Sequence, residues 1–184
     1  MKNIALIGPR GVGKSKISKR ISKQIALPVL STDAIAVYEM GGISISHYVE
    51  TIHNKDWRPF RDLEFKILQK LKNASGIILD CGGGIIFDLD ENGNEILSER
   101  KVALLKEMAT IIFLDNDLDA LLKKGSGDKN RPELNRGKDY AEILSKRLPF
   151  YKEIAHYRLY LGEMKKDDAA LRILELTDNH FAIL

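Results

Sequence analysis

A single cysteine, Cys81, in 184 residues leaves the chain no intramolecular disulfide, which excludes a secreted, disulfide-stapled scaffold. No apolar run approaches the roughly 20 residues that a membrane-spanning helix needs. Internal repeats and low-complexity linkers are missing as well. So is an excess of charge of one sign: 29 basic against 26 acidic residues leave a net +3. That charge is spread along the chain, which argues against a nucleic-acid binder or a membrane-surface binder. No secretory apolar core precedes the first strand-like run, so a cytoplasmic location is expected. At this length one core can form without metal or disulfide staples, and a single domain over residues 1–184, acting as a monomer on a small molecule, is the expectation.

What the chain does contain is a complete G-x-x-x-x-G-K-[ST] loop, from Gly8 through Gly13 to Lys14 and Ser15. A short apolar run, residues 4–7, leads into it. Ile17, Ile21 and Ile25 follow at helical spacing, with Lys16, Lys19, Arg20 and Lys23 on the other faces. This strand-loop-helix context is what the motif requires, because the strand aims the loop and the helix N-terminus receives an anion. Glycines let backbone N–H groups turn inward around a polyphosphate, Lys14 brings a point charge to the β- and γ-phosphates, and the Ser15 hydroxyl suits Mg²⁺. A nucleoside triphosphate is implied, with Gly11, Val12, Gly13, Lys14, Ser15 and Lys16 as its contacts.

Further apolar runs fall at residues 28–30, 77–79, 111–114 and about 157–161, with helical patterns between them. Five short strands alternating with helices predict an α/β fold, a five-stranded parallel sheet flanked by helices on both faces. Ligands of such sheets sit beyond the carboxyl ends of the strands. The informative residues are then 8–15, 31–33, 80–84, Asp115 and those past Leu161. Two stretches read as excursions. One lies within residues 34–72, where 41–61 are rich in glycine, serine, histidine and aromatics. The other, about 124–136, is basic, glycine-containing and poor in apolar groups, which suits a lid.

The ordered set comprising the phosphate loop, Ser31-Thr32-Asp33, Phe60-Arg61-Asp62-Leu63-Glu64, Gly82-Gly83-Gly84, Arg131-Pro132 and Arg147-Leu148-Pro149-Phe150-Tyr151 resembles shikimate kinase over nearly the whole chain. The resemblance implies a P-loop kinase fold with a substrate-binding subdomain and a lid. It also implies transfer of the γ-phosphoryl group of ATP, with Mg²⁺, to the 3-hydroxyl of shikimate in aromatic amino-acid biosynthesis. By it Arg61, Arg147 and Gly82 to Gly84 bind the acceptor, Asp33 takes its hydroxyl, and Lys14 and the lid residue Arg131 carry positive charge to the phosphoryl group.

Each role has a structural alternative. Arg147 interrupts an apolar helical stripe of Tyr140, Ile143, Leu144, Leu148 and Tyr151, so it should point inward and need an anion. That anion is a ligand, or the arginine forms a structural ion pair or snorkels. Glu64, one turn after Arg61, orients its guanidinium or makes an ordinary helix pair. Asp33 binds a hydroxyl or caps a helix. Gly82 to Gly84 approach the substrate or make a tight turn, and the Arg131 stretch is a catalytic lid or a solvated basic loop.

The chain departs from the family's Asp-x-Asp at the second strand, where it has Ser31-Thr32-Asp33. Asp80, ending an apolar strand, is expected to take over the Mg²⁺ role beside Ser15, with Asp115 a rival. Lys124 stands where an adenine-stacking arginine is common, and Glu133 replaces a leucine. The segment between Ser46 and Arg61 is longer than usual and holds His47, His53 and Trp57, so the acceptor pocket is where this chain should differ. A kinase for another small hydroxy acid or a nucleotide, and a non-catalytic ATP-binding regulator, stay open on the sequence. Residues 88–99 satisfy the literal EF-hand loop pattern, but no entering helix precedes them, and the stretch around Asn92-Gly93 reads as a β-hairpin.

Overall fold

A computed structural model describes residues 3–125 and 140–181. Its strands are β1 (Asn3–Ile7), β2 (Val29–Ser31), β3 (Ile78–Asp80), β4 (Phe87–Leu89), β5 (Glu95–Leu97), β6 (Ala109–Asp115) and β7 (Tyr157–Tyr160). Its helices are α1 (Lys14–Ile25), α2 (Thr32–Glu39), α3 (Ile45–His47), α4 (Arg58–Leu71), α5 (Glu99–Met108), α6 (Leu118–Gly125), α7 (Tyr140–Ile154) and α8 (Lys166–Phe181), with a π-turn over Tyr48–Ile52. The main sheet runs β2-β3-β1-β6-β7 and every pair in it is parallel. The five strands expected from the apolar runs are all present, with ends shifted by a residue or two.

Alternation along β1 explains the layering. Ala5 and Ile7 face one core, with Leu105 of α5 and Tyr151 and Ile154 of α7. Ile4 and Leu6 face the other, with Ile17 and Ile21 of α1 and Ala169 and Ile173 of α8. Both sides of the strand are fully buried, so it reads as a continuous apolar run. A third, smaller core of Ala36, Met40, Val49, Trp57, Phe60 and Ile67 gathers the excursion between β2 and β3. No helix among the described residues is long and apolar enough to cross a membrane.

Strands β4 and β5 form the antiparallel hairpin expected from residues 88–99, with Leu89 opposite Glu95. Its turn is held by Asp90 Oδ1, which accepts from the Asn94 amide at 2.7 Å, and by Gly93 at φ +79°. Asp88 accepts from Arg100 Nε at 2.8 Å and Ser98 Oγ at 2.7 Å and pairs with Lys101 at 3.2 Å. Burial raises the Asp88 carboxyl, but the bonds from Arg100 and Ser98, followed by Lys101, outweigh it and hold the group down at about 2. The acid that opens the EF-hand-like pattern is thus committed to the chain's own cations.

Candidate active site

The loop after β1 turns on glycines at positive φ, Gly8 at +138°, Gly11 at +78° and Gly13 at +112°. Helix α1 then begins at Lys14 with no side-chain cap and no acid in its first turn. An N-terminus left open in this way favours an anion, because its backbone N–H groups and dipole are unopposed. Lys14 is buried and its Nζ donates to Gly8 O at 2.8 Å and Pro9 O at 3.0 Å. Gly11, Val12, Gly13, Lys14, Ser15 and Lys16 all line one cavity of about 360 Å³. Lys166, at the start of α8, completes its wall. Sequence reasoning pointed only to the region past Leu161 and did not single out that residue.

Asp80 lies in the same cavity, only 7% exposed, with no partner for its carboxylate among the described residues. Its rival Asp115 is spent elsewhere, since Arg158 donates to it through Nε at 2.8 Å and the Asn116 amide at 2.9 Å. Ser31 stands opposite Asp80 in the β2–β3 register and caps α2, its side chain accepting from the Ala34 amide at 3.3 Å. The cap is therefore Ser31 and not Asp33. Cys81 also borders the cavity; burial first, and then the Asp80 charge, push its thiol far up, so it stays protonated.

A second cavity, about 310 Å³, is lined by Ser44, Ile45, Ser46, Trp57 and Phe60 from the excursion, by Arg61 and Glu64 of α4, by Arg147 of α7 and by Gly83 and Gly84. It shares Arg10, Asp33 and Gly83 with the phosphate cavity, so the two meet at Asp33. Gly83 is fixed from behind, where its carbonyl accepts from Arg147 Nη1 at 3.3 Å and from the Tyr151 hydroxyl. Burial pushes the Tyr151 phenol up to about 12, which keeps it a donor at neutral pH.

The three glycines do not act alike. Gly82 lines neither cavity, contrary to the expectation for all three, because its amide donates to Thr32 Oγ1 at 2.8 Å. A Cβ there would lie 2.2 Å from Asp33 Oδ1, so any larger residue would have to displace that carboxylate. At Gly84 a Cβ would lie 2.1 Å from Arg61 Nη1.

Both arginines are buried, Arg61 3% and Arg147 4% exposed, and both are held by acids. Arg61 Nη1 donates to Glu64 Oε2 at 2.9 Å and Gly84 O at 3.2 Å, and Nη2 to Glu95 Oε1 at 3.2 Å. Its guanidinium also sits over the Trp57 ring, 5.1 Å from the centroid. Arg147 Nε donates to Glu95 Oε2 at 2.7 Å, and Nη2 bonds the other oxygen of that carboxylate. The inward arginine thus has its anion within the chain. Glu95 is the residue sequence reading missed. The sequence carried no clear signal for it, since the apolar neighbour Ile96 is the residue that faces out, 45% exposed, while Glu95 and Leu97 on either side face inward. Glu64 is in turn held by Lys101 at 3.1 Å, a lysine with no exposed surface. Arg131 and Glu133 lie outside the described residues, as does most of the expected lid, and the Lys124 side chain is not described.

A family model described as "Shikimate kinase" matches residues 10–178. A shikimate kinase of Leptospira biflexa is 55% identical over 175 residues, covering 95% of each chain, and one of Caldicellulosiruptor bescii is 31% identical, covering 83% of this chain and 82% of its own. Among solved structures, "Shikimate kinase from Acinetobacter baumannii in complex with shikimate" superposes with a TM-score of 0.81 at 25% identity, covering 98% of this chain and 94% of that one.

Proposed function

The chain belongs to the shikimate kinase family, an enzyme that moves the γ-phosphoryl group of ATP to the 3-hydroxyl of shikimate, and we propose that its two cavities divide that reaction between them. In this reading the glycine cradle holds the triphosphate and Arg61 and Arg147 hold the acceptor carboxylate. The observation that carries it is the junction at Asp33, which borders both cavities. A planar guanidinium suits the carboxylate of a hydroxy acid, which it can grip through two parallel hydrogen bonds.

Asp33 accepts the hydrogen bond of the attacking hydroxyl and aims its oxygen at the γ-phosphorus. As the new P–O bond forms, the bond to the bridging oxygen of ADP breaks, and the hydroxyl proton passes late to the Asp33 carboxylate, because phosphoryl transfer goes through a loose transition state. Lys14 offsets charge on the phosphates, a role that Arg131 is assigned to share. The donor set fits Mg²⁺: Asp80, a buried carboxylate without a partner among the described residues, borders the cavity that the Ser15 hydroxyl also lines, and hard oxygen ligands are what this ion takes. Bound there, the ion would neutralise the β- and γ-phosphates. Asp80→Asn is expected to raise the Mg²⁺ concentration for half-maximal turnover by about tenfold; an unchanged Mg²⁺ titration would return the role to another group. In the same scheme residues 34–72 are the acceptor-binding excursion and 124–136 the lid of a single monomeric unit. Its need for ATP is the reason we assign it to the cytoplasm.

Gly84→Ala tests the acceptor end. Its methyl group would meet Arg61 Nη1, and a displaced fork loses its grip on a carboxylate. The expected result is a raised KM for shikimate with KM for ATP unchanged. The function itself is tested by ADP release from purified protein, ATP and Mg²⁺ with shikimate, gluconate or a nucleoside monophosphate. Stimulation by shikimate above the others is expected; stimulation by the nucleotide, or by none, would refute it.

A further inference from the structure

We propose that Glu95 is a positioning residue for the acceptor, setting the edges that Arg61 and Arg147 present to its carboxylate from outside the cavity. The inference rests on the clamp assigned to those two arginines above. Arg61 and Arg147 line the acceptor cavity and Glu95 does not; with Arg147 it borders a separate small hollow beside Phe87 and Phe150. Among the described residues its Oε1 is the one atom that bonds both guanidinium groups, joining α4 to α7 through β5. Arg147 gives Glu95 its Nε–Nη2 edge, which turns the remaining nitrogen, Nη1, toward Gly83 on the cavity wall. Arg61 keeps one buried donor, Nε, without a partner among the described residues, although its other two nitrogens are satisfied.

Two buried guanidinium groups held side by side repel each other unless an anion is shared between them. Here Arg61, Arg147 and Lys101 are balanced by Glu64, Glu95 and Asp88, and Lys101 ties Glu64 and Asp88 into the same group. Burial works against the charged form of Glu95, but the hydrogen bonds and charge of Arg147, and then Arg61, prevail and hold its carboxyl below the usual range. Glu95 thus stays ionised at neutral pH, and both forks keep a fixed orientation before the acceptor arrives. A pre-set fork spends less of its binding energy on ordering. The hairpin exists in this account to bring that one acid behind the clamp, its turn tied by Asp90 and its base by Asp88.

The test compares steady-state kinetics of the full chain with shikimate and with its uncharged carboxamide, for the wild type, Glu95→Ala, Glu95→Gln and Glu95→Asp. Wild type should prefer the acid. Glu95→Ala and Glu95→Gln should raise KM for shikimate on the order of tenfold or more, leave kcat and KM for ATP little changed, and shrink the preference for acid over carboxamide by the same factor. Glu95→Asp should recover part of that preference. Should Glu95→Ala fail to fold, the Glu95→Gln comparison decides alone. If both acceptors suffer equally, or neither does, Glu95 is structural and the proposal falls while the kinase assignment stands. If the wild type itself shows no preference for the acid, the clamp is wrong, and that failure is visible without any variant.

Discussion

Lys14→Met is expected to lower kcat by on the order of 10²–10³ while leaving KM for shikimate almost untouched. The split follows from geometry. Lys14 borders the phosphate cavity and not the acceptor cavity, so it cannot act on the hydroxy acid directly. Its Nζ is tethered to Gly8 O and Pro9 O, carbonyls of the loop that cradles the phosphates. A charge fixed in place and mostly shielded from water stabilises the transferring group far more than a mobile surface lysine would, because little reorganisation is needed during the reaction. Methionine fills the volume of the stem and removes the charge together with the hydrogen bonds to Gly8 O and Pro9 O. Quenched turnover with normal acceptor affinity is the outcome to check by varying each substrate in turn. A variant with undiminished kcat would mean that the cradle does not hold the phosphoryl group during transfer.

Asp33→Asn should cost about a hundredfold in kcat, again with only a small rise in the KM for shikimate. Asparagine keeps the shape that Gly82 is built around, where an added Cβ would come within 2.2 Å of Oδ1. It replaces an ionised acceptor with a weaker one at the point where the two cavities meet. Because Ser31 supplies the cap of α2, the helix should survive the change. Loss of the carboxylate from its first turn removes a favourable dipole interaction of roughly 0.3–1 kcal/mol, visible as a small fall in melting temperature and far too little to explain the kinetic loss. If kcat fell no more than this stability change, Asp33 would be a helix residue and not the partner of the hydroxyl.

Patterns local in sequence made most of this legible. The phosphate loop announced itself through four fixed positions and the strand and helix around them. The five apolar runs gave the sheet, because strands buried on both faces carry no polar alternation to confuse the reading. Arg147 was recognisable as inward because it broke a helical stripe. What the sequence hid is non-local. Glu95 lies 52 residues from Arg147 and 34 from Arg61, and no helical period links an acid on a hairpin to arginines on two separate helices. Lys101 reads as an ordinary charged position of an amphipathic helix, yet its stem is fully buried beneath Glu64 and its ammonium group satisfied there. Gly82 looked like its two neighbours, and only the Thr32 hydroxyl and the Asp33 carboxylate beside it reveal that it supports the site from behind.

A crystal structure of the protein with shikimate and ADP examines the division of labour between the cavities most directly. The expected density has the carboxylate oxygens of shikimate within hydrogen-bonding distance of Arg61 and Arg147, the 3-hydroxyl on Asp33 and facing the glycine cradle, and Glu95 still bound to both arginines on the far side. Shikimate seated with its carboxylate away from those arginines, or its 3-hydroxyl turned from Asp33, would contradict the account.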